Sequence, residues 1–232
     1  MKLETLLIIT GGGMMFAFLA YSLRKVIRLS FLRLIYGSYS LEFFQAYKKY
    51  YIRSPFQYCF RDEFITHLLF VLEKHHSVPA YKSPKEIYFE KTPYFIPYKE
   101  FLKQKGTPHC FNAFSFRNPD FVIKALGYQD IIAGSKATIV FYFMNDLFFM
   151  GEYIFKKPRT RIKESLLQHF LEDQQVDADN FYIENTRQRT VHFQDTGFTV
   201  DIRYITEENP SIARHLRDYL NQAKVKPLKV EA

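Results

Sequence analysis

Seven histidines, two cysteines and one glutamate set in an apolar run are the residues of this 232-residue chain best suited to proton transfer, metal ligation or nucleophilic attack. The histidines are His67, His75, His76, His109, His169, His192 and His215. None stands four residues from another, and none sits in a metalloprotease pattern, so no metal site is expected. His109 and Cys110 put a base beside a thiol, but a nucleophilic cysteine needs that base within hydrogen-bond reach. Neighbours on a strand point to opposite faces, so this pair is not expected to be catalytic. Glu152 lies in Phe148-Phe-Met-Gly-Glu-Tyr-Ile-Phe155. It reads either as a buried acid with a raised pKa or as a carboxylate facing water on an edge strand, and the second is expected.

Gly134-Ser135-Lys136 invites a phosphate-loop reading, but that loop needs a glycine directly before the lysine and another five residues upstream. It is read as a loop between strands, and no cofactor is expected. Cys59 and Cys110 have no CxxC spacing. They could form a disulfide outside the cytosol or remain two buried thiols, and two buried thiols are expected. No Asn-X-Ser/Thr acceptor occurs, since Asn209 precedes Pro210. For nucleic acid, Tyr47-Lys-Lys-Tyr-Tyr-Ile-Arg53 is the nearest approach to a basic, aromatic surface. It carries no RNA-binding signature and fits a membrane surface as well, so nucleic acid is not favoured as a partner.

The strongest signal lies in the N-terminal region. Leu6 to Leu23 is 18 residues without a charge. At 1.5 Å per residue it spans roughly 27 Å, enough to reach across a bilayer core. Leu6, Gly11, Gly12, Gly13, Phe16 and Leu23 are its marker residues, and the three glycines can admit a neighbouring membrane helix. Arg24, Lys25, Arg28 and Arg33 follow as a basic collar suited to anionic lipid. Only Lys2, offset by Glu4, precedes the span, which argues against a cleaved signal peptide and places the C-terminal part in the cytoplasm. Residues 1–36 thus hold half of the net charge of +8.

The remaining elements read as an α+β fold. Helices are expected at Leu41–Tyr51, Arg61–Lys74, Tyr98–Lys105, Arg161–Leu171 and Pro210–Gln222, the last capped by Asn209. Strands are expected at Cys110–Phe116, Phe121–Leu126, Thr138–Met144, Phe148–Phe155, Phe181–Asn185, Thr190–Gln194 and Phe198–Ile205, with a short candidate at Ile87–Phe89. Asn145-Asp146 and Asp195-Thr196-Gly197 supply the tight turns. Hairpin-linked runs predict an antiparallel sheet with helices packed on one face. The chain divides into an anchor and collar (1–36), two amphipathic helices (37–78) and an α+β domain continuous with them (79–232).

Composition is 47% hydrophobic and 24% charged, which excludes a disordered chain and a polytopic membrane protein. The 25 Phe and 17 Tyr are assigned mainly to the core. The sequence reads as a single-pass, non-catalytic interaction or assembly subunit whose partners are the lipid bilayer and another membrane protein. The alternative is a membrane-attached small-ligand binder, or an enzyme with a dispersed site.

Overall fold

The structure is a computed structural model describing residues 3–51, 56, 78–117, 120–156, 160–172, 174, 176–209, 211, 212, 214 and 218. Of these, residues 3–13, 16, 17, 116, 117, 120 and 160 are described by their backbone alone. The chain forms two compact units, residues 1–55 and 56–232.

In the first unit, α1 (Leu3–Tyr36) is one continuous helix of 34 residues that runs through Gly11, Gly12 and Gly13. At 1.5 Å per residue it is about 51 Å long. Among the described residues no helix is long and apolar enough to cross a membrane. The spanning helix expected at Leu6–Leu23 is thus not shown, and ten of its eighteen residues are described by backbone alone. Gly37, at φ 89°, takes the left-handed conformation that ends a helix, and its N–H donates to the Arg33 carbonyl at 3.0 Å. Ser40 then caps α2 (Leu41–Tyr51) by accepting from the Phe43 N–H at 3.2 Å. Four residues join the two helices, so α2 doubles back along α1, and Leu29 and Phe44 are buried.

The second unit is built on an eight-stranded sheet. In chain order its elements are β1 (Ala80–Lys82), α3 (Tyr98–Lys105), β2 (Cys110–Arg117), β3 (Asp120–Ile132), β4 (Ser135–Met144), β5 (Leu147–Phe155), α4 (Thr160–Leu171), β6 (Asn180–Glu184), β7 (Arg189–Asp195) and β8 (Val200–Thr206). The strand order is β1-β6-β7-β8-β5-β4-β3-β2. Two meanders, β2–β5 and β6–β8, meet where β5 pairs with β8. β1 joins β6 in parallel, so the sheet is mixed where an antiparallel one was expected. Ala133-Gly134 and Asn145-Asp146 all have positive φ, as two-residue hairpins require.

The Ile87–Phe89 triplet is not a strand. Both of its apolar ends are fully buried, and the Phe89 ring lies over Gly151 of β5. That same face carries α3, through Phe101 against Phe141, and α4, through Phe170 against Tyr204. The opposite face packs Ile123, Val140, Tyr142, Met150 and Ile205 with Ile212. Coverage on both faces corrects the expectation of one, and it follows from the chain returning over the sheet after β8. Ile212 is held there by Asn209, whose Oδ1 accepts from the Ser211 N–H at 2.9 Å. The rest of that closing helix, and the helix expected at Arg61–Lys74, lie largely or wholly outside the described residues.

Cys110 is fully buried and disulfide-bonded, which corrects the expectation of two buried thiols. The chain has one other cysteine, Cys59, outside the described residues.

Candidate functional site

Once α2 doubles back, its far end stands beside the start of the basic collar. The Lys25 ammonium lies 4.2 Å from the Tyr21 ring centre and 5.8 Å from that of Tyr50. The Arg28 guanidinium lies 6.0 Å from the Tyr50 ring, and the Lys48 ammonium 5.5 Å from that of Phe44. At exposed positions such contacts are worth about 0.5–1 kcal/mol each, so they orient the cations more than they hold the hairpin together. Tyrosines interleaved with Lys and Arg give this end of the hairpin side chains with an apolar body and a polar tip.

Between the helices lies an open cleft of about 210 Å³. One wall is Val26, Leu29, Ser30 and Arg33, a single helical face at i, i+3, i+4 and i+7; the other is Phe43, Tyr47 and Tyr51, spaced by four. Tyr47 and Tyr51 touch at 4.7 Å between ring centres. Arg33 is held at the upper end by donating from Nε to Ser38 Oγ at 2.9 Å. Nearby, burial raises the Tyr39 phenol above its ordinary pKa, and the charge of Arg33 works against that rise.

Of the residues expected to act, Lys25 and Arg28 stand by Tyr50 of α2, Arg33 lines the cleft beside Ser38, and Arg24 is exposed on α1. Leu23 is exposed, and Leu6, Gly11, Gly12, Gly13 and Phe16 lie within α1, placed by backbone only. Phe43, Tyr47, Tyr50 and Tyr51 were not singled out as site residues. For the tyrosines the signal was the Tyr47–Arg53 stretch and for Phe43 the helical spacing of Leu41–Tyr51, but which collar residue each would face depends on the turn at Gly37–Ser40.

A second constellation is buried in the sheet. Glu152 on β5, Arg203 on β8 and His192 on β7 lie in register across three adjacent strands. Arg203, fully buried, donates from Nε to Glu152 Oε1 at 2.8 Å and from a terminal nitrogen to Asp201 Oδ2 at 3.1 Å. Its other terminal nitrogen reaches Gln194 Oε1 at 3.0 Å and His192 Nδ1 at 3.2 Å. A guanidinium only donates, so Nδ1 accepts; Nε2–H then donates to Asn180 Oδ1 at 2.6 Å, which fixes a neutral imidazole. The Tyr142 hydroxyl donates to Glu152 Oε2 at 2.5 Å. Burial, followed by the Glu152 charge and this bond, pushes its pKa well up.

The placing of Glu152 corrects the expectation that it faces water. It is 2% exposed because β5 is a central strand, flanked by β4 and β8. Glu152 and His192 share this network, whereas His109 is exposed ahead of β2. The three therefore do not line a common cavity. Among the described residues no group of His, Cys, Asp and Glu is placed to hold a metal. The network ties β4, β5, β6, β7 and β8 together.

Compared with family models, curated proteins and solved structures, the chain matches none.

Proposed function

We propose that this protein is a membrane-anchored, non-catalytic interaction or assembly subunit. In this reading Leu6–Leu23 crosses the bilayer, the collar of Arg24, Lys25, Arg28 and Arg33 contacts anionic lipid, and the outer part of α1 docks on another membrane protein. One observation carries the proposal: apolar side chains on α1 stay exposed well past the expected span. Ile27, Phe31, Leu34 and Ile35 are 54–84% exposed. A helix of about 51 Å exceeds a hydrocarbon core of about 30 Å by about 20 Å, so these residues rise beyond the lipid tails. Fully burying such a side chain is worth about 1.5–3 kcal/mol. Four of them supply about 6–12 kcal/mol, the size of the association cost that a stable complex must overcome.

Two features bear on which side of the membrane holds the second unit. The collar favours the cytoplasm, whereas the disulfide at Cys110 favours an oxidising compartment. The charge bias is a statistical preference, and disulfides are rare where the thiol pool is kept reducing. We therefore assign the second unit to the oxidising side.

The test is extraction from the native membrane in mild detergent, followed by sizing and identification of what co-purifies. A stoichiometric larger assembly that dissociates on Ile27→Ser with Leu34→Ser supports the outer-helix route. Dissociation on changing Gly11, Gly12 and Gly13 to Leu moves the contact into the bilayer. A bare monomer counts against the subunit reading and favours a ligand-binding or enzymatic one.

A further inference from the structure

We infer that the cleft between α1 and α2 binds the phosphate-bearing headgroup of one anionic phospholipid, whose acyl chains run down the exposed apolar flank of α1. This rests on the membrane reading above and goes beyond a diffuse basic collar, because it names one open cleft with walls from both helices.

Three observations carry it. The first is charge: residues 21–51 hold Arg24, Lys25, Arg28, Arg33, Lys48 and Lys49 against a single acid, Glu42, and of these cations Arg33 lines the cleft itself. The second is size. At about 210 Å³ the cleft is smaller than the roughly 300–1,000 Å³ of pockets that enclose a whole small molecule. It suits the polar end of a ligand whose remainder stays outside.

The third is the amphiphilic layout of the opening. Ser30 and Arg33 line the cleft with the hydroxyl-bearing Tyr47 and Tyr51. Arg33 spends its Nε donor on Ser38, and its two terminal nitrogens carry four further N–H donors of the geometry that grips phosphate. The Val26 end leads onto Leu23 and Leu19, both more than half exposed and each one helical turn nearer the N-terminus. A headgroup in the cleft thus leaves its chains against apolar side chains that point into the bilayer. A peptide or nucleotide would leave that flank bare.

The experiment uses the full-length protein, purified in mild detergent and stripped of lipid. Native mass spectrometry and thermal shift are then followed on adding phosphatidylglycerol or phosphatidylcholine with the same chains. One bound phosphatidylglycerol is expected, preferred by about tenfold or more, because both headgroups carry the phosphate but phosphatidylcholine adds a quaternary ammonium that the surrounding Lys and Arg repel. Arg33→Gln should remove that preference. Ser30→Leu, which fills the cleft from the other side of α1's inward face, should block binding without touching a charge. Arg24→Gln, which removes a collar charge that does not line the cleft, should weaken the preference far less than Arg33→Gln does.

Equal binding of the two lipids overturns an anion-selective site, and equal losses in Arg24→Gln and Arg33→Gln overturn the single site in favour of diffuse attraction. Saturation by glycerol phosphate or inorganic phosphate at the same affinity also overturns it, in favour of a free-anion site. Carbonate extraction of the wild type distinguishes the underlying failure. Release from the membrane sinks the anchor and this site together, whereas retention with no lipid preference sinks the site alone.

Discussion

Arg203 shows what a buried charge asks of its neighbours. Its guanidinium is fully enclosed and meets Glu152, Asp201, Gln194 and His192 within 3.2 Å. Removing one member of such a set leaves the others desolvated and uncompensated, which costs more than the pair contributes when intact. Arg203→Met is therefore expected to destabilise the protein by about 3–5 kcal/mol in urea unfolding. Glu152→Gln, which keeps the shape and an acceptor for Tyr142, should cost about 1–3 kcal/mol. Equal effects from both would mean that charge is not what matters there. The tyrosines make a second prediction. Burial raises Tyr94, Tyr142, Tyr153 and Tyr204 above the ordinary phenol value of 10.0, and at Tyr142 and Tyr153 a carboxylate adds to the rise. Folded pKa values above the unfolded one mean that the associated stability is complete below pH 10. It is lost as the pH climbs beyond that, where the unfolded chain gives up protons that the fold retains. The melting temperature should fall steeply above about pH 10, and tyrosinate absorbance should lag until unfolding. A smooth titration of all 17 tyrosines in the folded state would contradict this.

At the scale of elements, Gly151 explains why the Ile87–Phe89 segment is bound to the sheet. A Cβ at that position would come 2.0 Å from the Phe89 ring, so only glycine lets the ring seat between Phe141, Tyr153 and Tyr204. The turn that follows holds Glu90 and Lys91 in the left-handed region without a glycine. Glu90 is anchored there by the Tyr153 hydroxyl, which donates to it at 2.5 Å. Arg189 fastens the same segment from β7: its guanidinium donates to the Ile87 carbonyl at 3.1 Å and to both oxygens of Glu208. Burial lowers the Arg189 pKa, but the Glu208 and Tyr88 bonds outweigh it and leave it raised. Gly151→Ala should destabilise by about 1–3 kcal/mol or more through overpacking, and Phe89→Ala by about 3–5 kcal/mol through a cavity. Because both act on one contact, Gly151→Ala should cost much less in a Phe89→Ala background. Strict additivity in that double-mutant cycle would show that the ring is not where it is described. In the hairpin, Ser40→Ala should cost about 1 kcal/mol of α2 stability, read as lost helicity by circular dichroism.

For the whole molecule the disulfide is the covalent constraint, and it has consequences for both stability and location. Breaking a bond at a fully buried strand start should destabilise the second unit by about 2–4 kcal/mol, measured as a lower melting temperature in reductant. In cells, quenching with acid and labelling the denatured protein with a maleimide should modify cysteine only after reduction. That result would place the second unit outside the reducing cytosol. Labelling without reductant would restore the orientation that the collar favours.

The sequence alone determined the local elements. α2 and α3 fall where the apolar spacing and the stop at Gly106 put them, and β2 and β4–β8 fall within a few residues of their alternation and turn signals, whereas β3 runs six residues past its expected end at Leu126. These are read locally because hydrogen-bond periodicity and turn chemistry act over a few residues. It also marked the basic collar and the Tyr47–Arg53 stretch beside it. Tertiary structure alone decided what pairs with what. Asp201 and Arg203 alternate with Val200, Ile202 and Tyr204, a pattern that reads as one wet face. All seven residues of β8 are nevertheless buried, because β8 sits between β5 and β7 with both faces covered. Glu152 changed from a surface acid to an ion-pair partner for the same reason, and Ile87–Phe89 yielded its strand to Ala80–Lys82 because a glycine 62 residues away made room for a ring. Burial depends on which distant strands meet, and no window of neighbouring residues contains that information.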